Sequence, residues 1–151
     1  PDFDYIAGRL WDSFHLVPGD PSPGALTTYV SYMGMDPANR ARVTLKESLP
    51  LIRAAIAQGT PAALGLIGAS SSGVLDLVTN LGKNHQVCAF SYLRDGHFVV
   101  LGIYDCNIPN NDTLYIRINA DEFSYPQLTH TTSMSQILAF FYTGYTKKNP
   151  P

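Results

Sequence analysis

Asn84-His85-Gln86-Val87-Cys88-Ala89-Phe90-Ser91-Tyr92-Leu93-Arg94-Asp95-Gly96-His97-Phe98-Val99-Val100-Leu101-Gly102-Ile103-Tyr104-Asp105 holds two runs rich in β-branched and aromatic residues around a polar tripeptide. Residues 85–92 and 97–105 read as strands. Arg94-Asp95-Gly96 reads as a hairpin turn with glycine at the positive-φ position. A three-residue loop pairs Leu93 with His97. Counting back along both strands then puts His85 directly opposite Asp105. Facing residues carry Cβ atoms about 5 Å apart on one face of the sheet. An imidazole and a carboxylate at that spacing can hydrogen-bond, with the carboxylate fixing the tautomer of the ring. A two-residue loop places His85 opposite Cys106 instead.

Outward from the hairpin, residues 113–118 alternate apolar and polar as a third strand, and residues 137–145 read as a last one. Upstream, residues 62–67 (Ala-Ala-Leu-Gly-Leu-Ile) suit a buried strand, residues 68–73 a loop, and residues 74–80 a short helix. Residues 45–58 place Leu45, Leu49, Ile52 and Ile56 on one helical face. Thr44 and Glu47 have capping-box spacing, or Ser48 caps with Pro50 in the first turn. Gly59 is a helix stop. Residues 4–14 carry Ile6, Leu10 and Phe14 on one helical stripe behind a candidate cap, Asp4. Three prolines and two glycines make residues 17–24 a loop. Residues 25–43 receive no assignment. Helices first and an antiparallel sheet after them make an α+β fold, read as one domain over residues 1–151.

The 151 residues carry a net charge of −2 and are 45% hydrophobic and 15% charged, a balance that builds a core rather than a disordered chain. No basic excess points to nucleic acid or an anionic membrane. No apolar run approaches the roughly 20 residues of a spanning helix. The chain opens on Pro1-Asp2-Phe3-Asp4, with neither a signal-peptide pattern nor an initiator Met, which reads as a mature or excised piece. Two cysteines make no disulfide scaffold. No CxxC or HExxH spacing implies a metal, and no cofactor motif occurs.

Three stretches carry a family resemblance. Asn84-His85-Gln86-Val87 opens one strand; Tyr104-Asp105-Cys106-Asn107-Ile108-Pro109 ends its partner; Gly59-Thr60-Pro61 leads into the apolar run to Ile67. Together they resemble the C-terminal part of papain-like cysteine peptidases of the bacteriocin-processing-peptidase-like group. Tyr5 to Ser13 and Phe140-Phe141…Tyr145…Pro150 look similar to that group as well. The resemblance implies a papain-like fold acting on a peptide or protein substrate, with His85 as general base and Asp105 as its orienting acid. Cys106 stands where the pattern has proline.

The nucleophile is the departure. In the family a cysteine sits at a helix N-terminus early in the domain, where the helix dipole favours the thiolate. This chain has no cysteine before Cys88, which lies three residues from His85 and so on the opposite face of one strand. Cys106 is expected to point away from Asp105. The nucleophile is therefore expected on a missing N-terminal segment or a separate chain, so that the isolated chain is inactive. The alternatives are a catalytically inactive papain-like domain that binds peptides or proteins, and a small β-rich ligand-binding module. If a nucleophile helix is missing, the sheet face bearing Val87, Ala89, Val99, Leu101 and Ile103 should be bare.

The remaining candidates read as structural. Cys88 is a small core residue and Cys106 a free turn thiol. His97 lies roughly 25 Å from Asp105 along the strand. His15 and His130 lack ligand spacing. Ser70-Ser71-Ser72-Gly73 is a loop without GxSxG context, placed to rim a cleft.

Overall fold

A computed structural model describes residues 25–121 and 128–144. The helix expected over residues 4–14, and most of the loop after it, lie outside the described residues. The elements in order are α1 (Ala25–Gly34), α2 (Pro37–Val43), a π-helical turn (Thr44–Ser48), α3 (Leu49–Ala57), β1 (Ala62–Ile67), α4 (Val74–Leu81), β2 (His85–Asp95), β3 (Phe98–Tyr104), β4 (Tyr115–Asn119), β5 (Leu128–His130) and β6 (Ala139–Tyr142). The six strands form one antiparallel sheet in the order β5-β4-β3-β2-β1-β6. The α+β class stands.

The helix expected at residues 45–58 starts earlier and is capped differently. Asp36 is the cap of α2: its carboxylate accepts the Asn39 N–H at 3.0 Å. The chain then stays helical to Ala57 through the π turn. Neither expected cap operates, because Ser48 makes no capping hydrogen bond and Thr44 Oγ1 donates to the Phe140 carbonyl at 3.1 Å. The π turn has a cause in Pro50. A proline inside a helix lacks an N–H and its ring presses on the carbonyl one turn back. The widened turn, in which the Leu49 N–H bonds to Thr44 O, lies immediately before it. At the far end Gly59 takes φ +73°, and the Gly59 and Thr60 N–H groups return to Ile56 and Ala55. Residues 25–43, unassigned from sequence, are α1 and α2. Arg40 of α2 is buried and donates to the Tyr32 and Met35 carbonyls at the end of α1, at 2.9 and 2.7 Å.

The two faces of the sheet are covered by different helices. Leu45, Leu49 and Ile52 pack on the face carrying Leu64, Leu66, Val87, Ala89, Val99, Leu101, Ile103, Ile116 and Ile118. On the other face α1 places Tyr29, Tyr32 and Met33 against Ile67, Ala139 and Phe141. The expectation of a bare apolar face is thus overturned. Val87, Ala89, Val99, Leu101 and Ile103 are all buried, in one cluster with Leu45, Leu49 and Ile52 from the helical side and with Leu114, Ile116, Ile118 and Ile137.

The hairpin also differs from its reading. Asp95 pairs with Phe98, so the loop is the two residues Gly96-His97, with Gly96 at φ +56°. Two-residue loops suit the strand twist better. Regular pairing holds as far as Ser91 and Gly102 and then slips: Ala89 pairs with Ile103, leaving Phe90 as a one-residue bulge. Gly102 makes room for it, since a Cβ there would lie 2.3 Å from Ser91 Oγ and 3.3 Å from the Phe90 ring. The strand expected at residues 113–118 is Tyr115–Asn119, and that at residues 137–145 shortens to Ala139–Tyr142. β5, three residues long, is too short to show an apolar–polar alternation in the sequence.

Gly65 offers a direct test of the packing under α1, because a Cβ there would lie 2.3 Å from the Phe141 ring. Gly65→Ala should cost about 1–3 kcal/mol in urea unfolding, the usual penalty for overfilling a core. Gly34→Ala, with open space around the new methyl, should be neutral or stabilising by up to about 1 kcal/mol.

Candidate functional site

His85 opens β2 beside the end of β1, and two side chains hold it there. Asn84 accepts the Gly68 N–H on Oδ1 at 3.1 Å. Its Nδ2 lies 3.1 Å from the Met33 sulfur. Gly68 is required at this junction, since a Cβ would sit 2.2 Å from the Lys83 carbonyl. The His85 carbonyl accepts the Tyr29 hydroxyl at 2.8 Å. Burial pushes the Tyr29 hydroxyl well above its ordinary range, so it stays a donor.

His85 Nε2 lies 2.7 Å from Asp105 Oδ1, so the two expected partners do meet. Asp105 is fully buried, while the His85 side chain is 17% exposed. They are not directly opposite. With Ala89 facing Ile103, the register continues so that Val87 faces Asp105, and His85 reaches it on the diagonal.

Asp105 accepts four hydrogen bonds. Oδ1 takes His85 Nε2 and the Asn107 N–H at 2.9 Å; Oδ2 takes the Ser133 N–H and hydroxyl, both at 2.8 Å. Burial by itself pushes this carboxyl up. The hydrogen bonds from Ser133, His85 and Asn107 outweigh it and hold the group down at about 2. The group is therefore a carboxylate, which can only accept. Nε2 must therefore carry a proton, and Nδ1 is the ring nitrogen that Asp105 does not engage. Ser133 escaped the sequence reading. Its only trace there is the polar run Thr131-Thr132-Ser133 before the last strand.

His85 borders an open cleft of about 430 Å³, whose wall includes Gly68, Lys83, Asn84, Asn107, Ser133 and Gln136. That volume is in the range of small-ligand sites. Gly68 and the 133–136 turn form the rim where the serine loop was expected. Ser70 instead receives a hydrogen bond from Arg40 at 2.9 Å.

The cysteines divide as the strand parity requires, with one surprise. Cys88 pairs with Tyr104 and Ala63 on the face away from His85, half-buried, and burial pushes its thiol up. Cys106 is exposed and, against expectation, does not point away. Its sulfur, a His85 ring nitrogen and an Asp105 carboxylate oxygen lie within 4.8 Å of one another. The cause is a tight turn after β3, closed by the Ile108 N–H on Asp105 O at 3.0 Å. These three donors are close enough to share a cation. The carboxylate's acceptor positions, however, are already occupied, and His85 Nε2 is committed to one of them.

The other histidines lie elsewhere. His97 is exposed on the hairpin turn and bonds Asp121 through Nδ1 at 2.5 Å. His130 contacts Thr132, and burial pushes its ring down. His15 lies outside the described residues. No helix among the described residues is long and apolar enough to cross a membrane.

No protein-family model, no curated protein and no solved structure matches this chain.

The buried carboxylate predicts an acid limb in stability. The folded-state value of Asp105, about 2, lies below its ordinary 3.8. Its contribution is complete above pH ~4 and disappears as the pH falls through about 2; at 1.4 kcal/mol per unit it amounts to about 2 kcal/mol. Urea unfolding from pH 6 down to pH 2 should show that loss, and the Asp105→Asn protein should lack that share of it.

Proposed function

We propose that His85 and Asp105 are the general base and orienting acid of a papain-like Cys-His-Asp site that performs acyl transfer on peptide or amide bonds. One observation carries the reading: a fully buried carboxylate holds His85 Nε2 at 2.7 Å while the ring reaches an open cleft. Held this way, the imidazole presents a basic Nδ1 to a nucleophile and can return the proton to a leaving amine. The resemblance around Asn84-His85-Gln86-Val87 and Tyr104-Asp105 supplies the class of nucleophile, a cysteine thiol. Cys88 sits on the wrong face for it, and the two N–H groups that follow Cys106 are already bonded to Asp105 rather than free for an oxyanion. The thiol is assigned to a segment or chain beyond these 151 residues, with a peptide or protein as substrate.

A second reading has its own observation. The sheet face on which a nucleophile helix was expected is already covered, with Val99, Leu101 and Ile103 fully buried. That favours a catalytically inactive papain-like domain, in which the cleft beside His85 retains peptide binding alone.

The full gene product, or the complex purified with this chain, separates the two. A peptide carrying a thiol-reactive group should label a cysteine other than Cys88 and Cys106. His85→Ala and Asp105→Asn should each lower peptide turnover by about 10²–10⁴-fold. Turnover that survives His85→Ala removes the proposal. Peptide binding that perturbs His85 resonances without any turnover selects the inactive domain.

A further inference from the structure

We infer that Cys106 is a modification site: a thiol that exchanges with small-molecule disulfides, with His85 as the acceptor of its proton. The inference does not depend on the acyl-transfer reading, because it uses only the side-chain cluster at the end of β3. The Cys106 sulfur is exposed and lies within 4.8 Å of a His85 ring nitrogen and an Asp105 oxygen. The thiol donates to Asn107 Oδ1 at 3.9 Å. To pass its proton to Nδ1 the thiol must swing away from Asn107 and span the remaining gap through one water. Asp105 holds Nε2 and leaves Nδ1 to receive the proton.

The surrounding backbone bears on the electrophile that suits this thiol. Attack on a carbonyl needs N–H donors for the oxyanion. The two N–H groups that follow Cys106 are spent: Asn107 donates to Asp105 Oδ1 and Ile108 to Asp105 O. Attack on a disulfide needs no such donors, since the charge leaves on sulfur. The Cys106 thiolate forms a bond to one sulfur of the disulfide as the S–S bond breaks. The second sulfur departs as a thiolate and takes up the proton that His85 received. The products are a mixed disulfide at Cys106 and one free small thiol, with His85 returned to its neutral state. The adduct is attached next to Asn107, which lines the cleft together with His85, so it is expected to restrict access to the ring.

Cys88 is a control within the same chain, half-buried on the other face of the sheet. The test uses the full chain with oxidised glutathione, followed by mass mapping of both cysteines. Cys106 should form the adduct at least tenfold faster than Cys88, and the adduct should slow acylation of His85 by a histidine-directed reagent. His85→Gln should slow Cys106 at least fivefold and leave Cys88 unchanged. Preferential reaction at Cys88, or a Cys106 rate untouched by His85→Gln, overturns the inference. If His85→Gln accelerates Cys88, the fold has opened and Ser133→Ala decides instead. There a slower Cys106 beside an unreactive Cys88 supports the site, and an unchanged Cys106 rate overturns it.

Discussion

One inserted residue, Phe90, decides which side chains of the hairpin can meet. From the turn inward, Tyr92 faces Leu101 and Ser91 faces Gly102. Continued without interruption, that register sets Cys88 opposite Asp105 and turns His85 to the other face. The bulge shifts β2 by one, so the core-facing parity changes from Tyr92 to Ala89 and Val87, and His85 follows them. A one-residue slip exchanges every side chain between faces. Here a single slip places an imidazole beside a carboxylate, and Cys88 on the far side of the sheet. Gly102 is part of the same device, because its missing side chain is the space that Ser91 and the Phe90 ring fill.

The second constraint is the buried charge of Asp105. An isolated carboxylate taken out of water costs several kcal/mol unless donors replace its hydration. Three segments distant in sequence supply those donors: the start of β2, the turn after β3, and Ser133 ahead of β6. The pair is thus tied into the fold rather than resting on its surface. Anything that loosens the Ser133 turn releases the carboxylate and with it the orientation of His85.

Much of this was legible in the sequence, for identifiable reasons. The hairpin runs, the apolar strand at residues 62–67 and the helix around Leu49 and Ile52 carry strong periodicity, and all three exist. The pairing of His85 with Asp105 was reached through a register that proved wrong in two compensating ways. The chain uses a two-residue loop plus a bulge in place of the expected three-residue loop, and both arrangements preserve the shared face. Bulges leave no mark in an apolar run, so Phe90 was invisible. Asp36-Pro37 reads as an interruption in sequence, yet it starts a helix, because proline in a first turn is favourable. Ser133 was beyond reach, since its role depends on a contact 28 residues away in the chain.

The hydrogen-bond count at Asp105 also indicates what chemistry the cluster suits. A carboxylate offers about four acceptor positions, and here they hold two backbone N–H groups, a serine hydroxyl and His85. A cation could enter only by displacing a donor. Each displaced donor is a partly buried group left unpaired, at a cost of about 1–3 kcal/mol. A proton on Nδ1 needs no such displacement. The occupied carboxylate thus argues against a metal ion at this cluster and leaves the ring edge beside Cys106 as its open side.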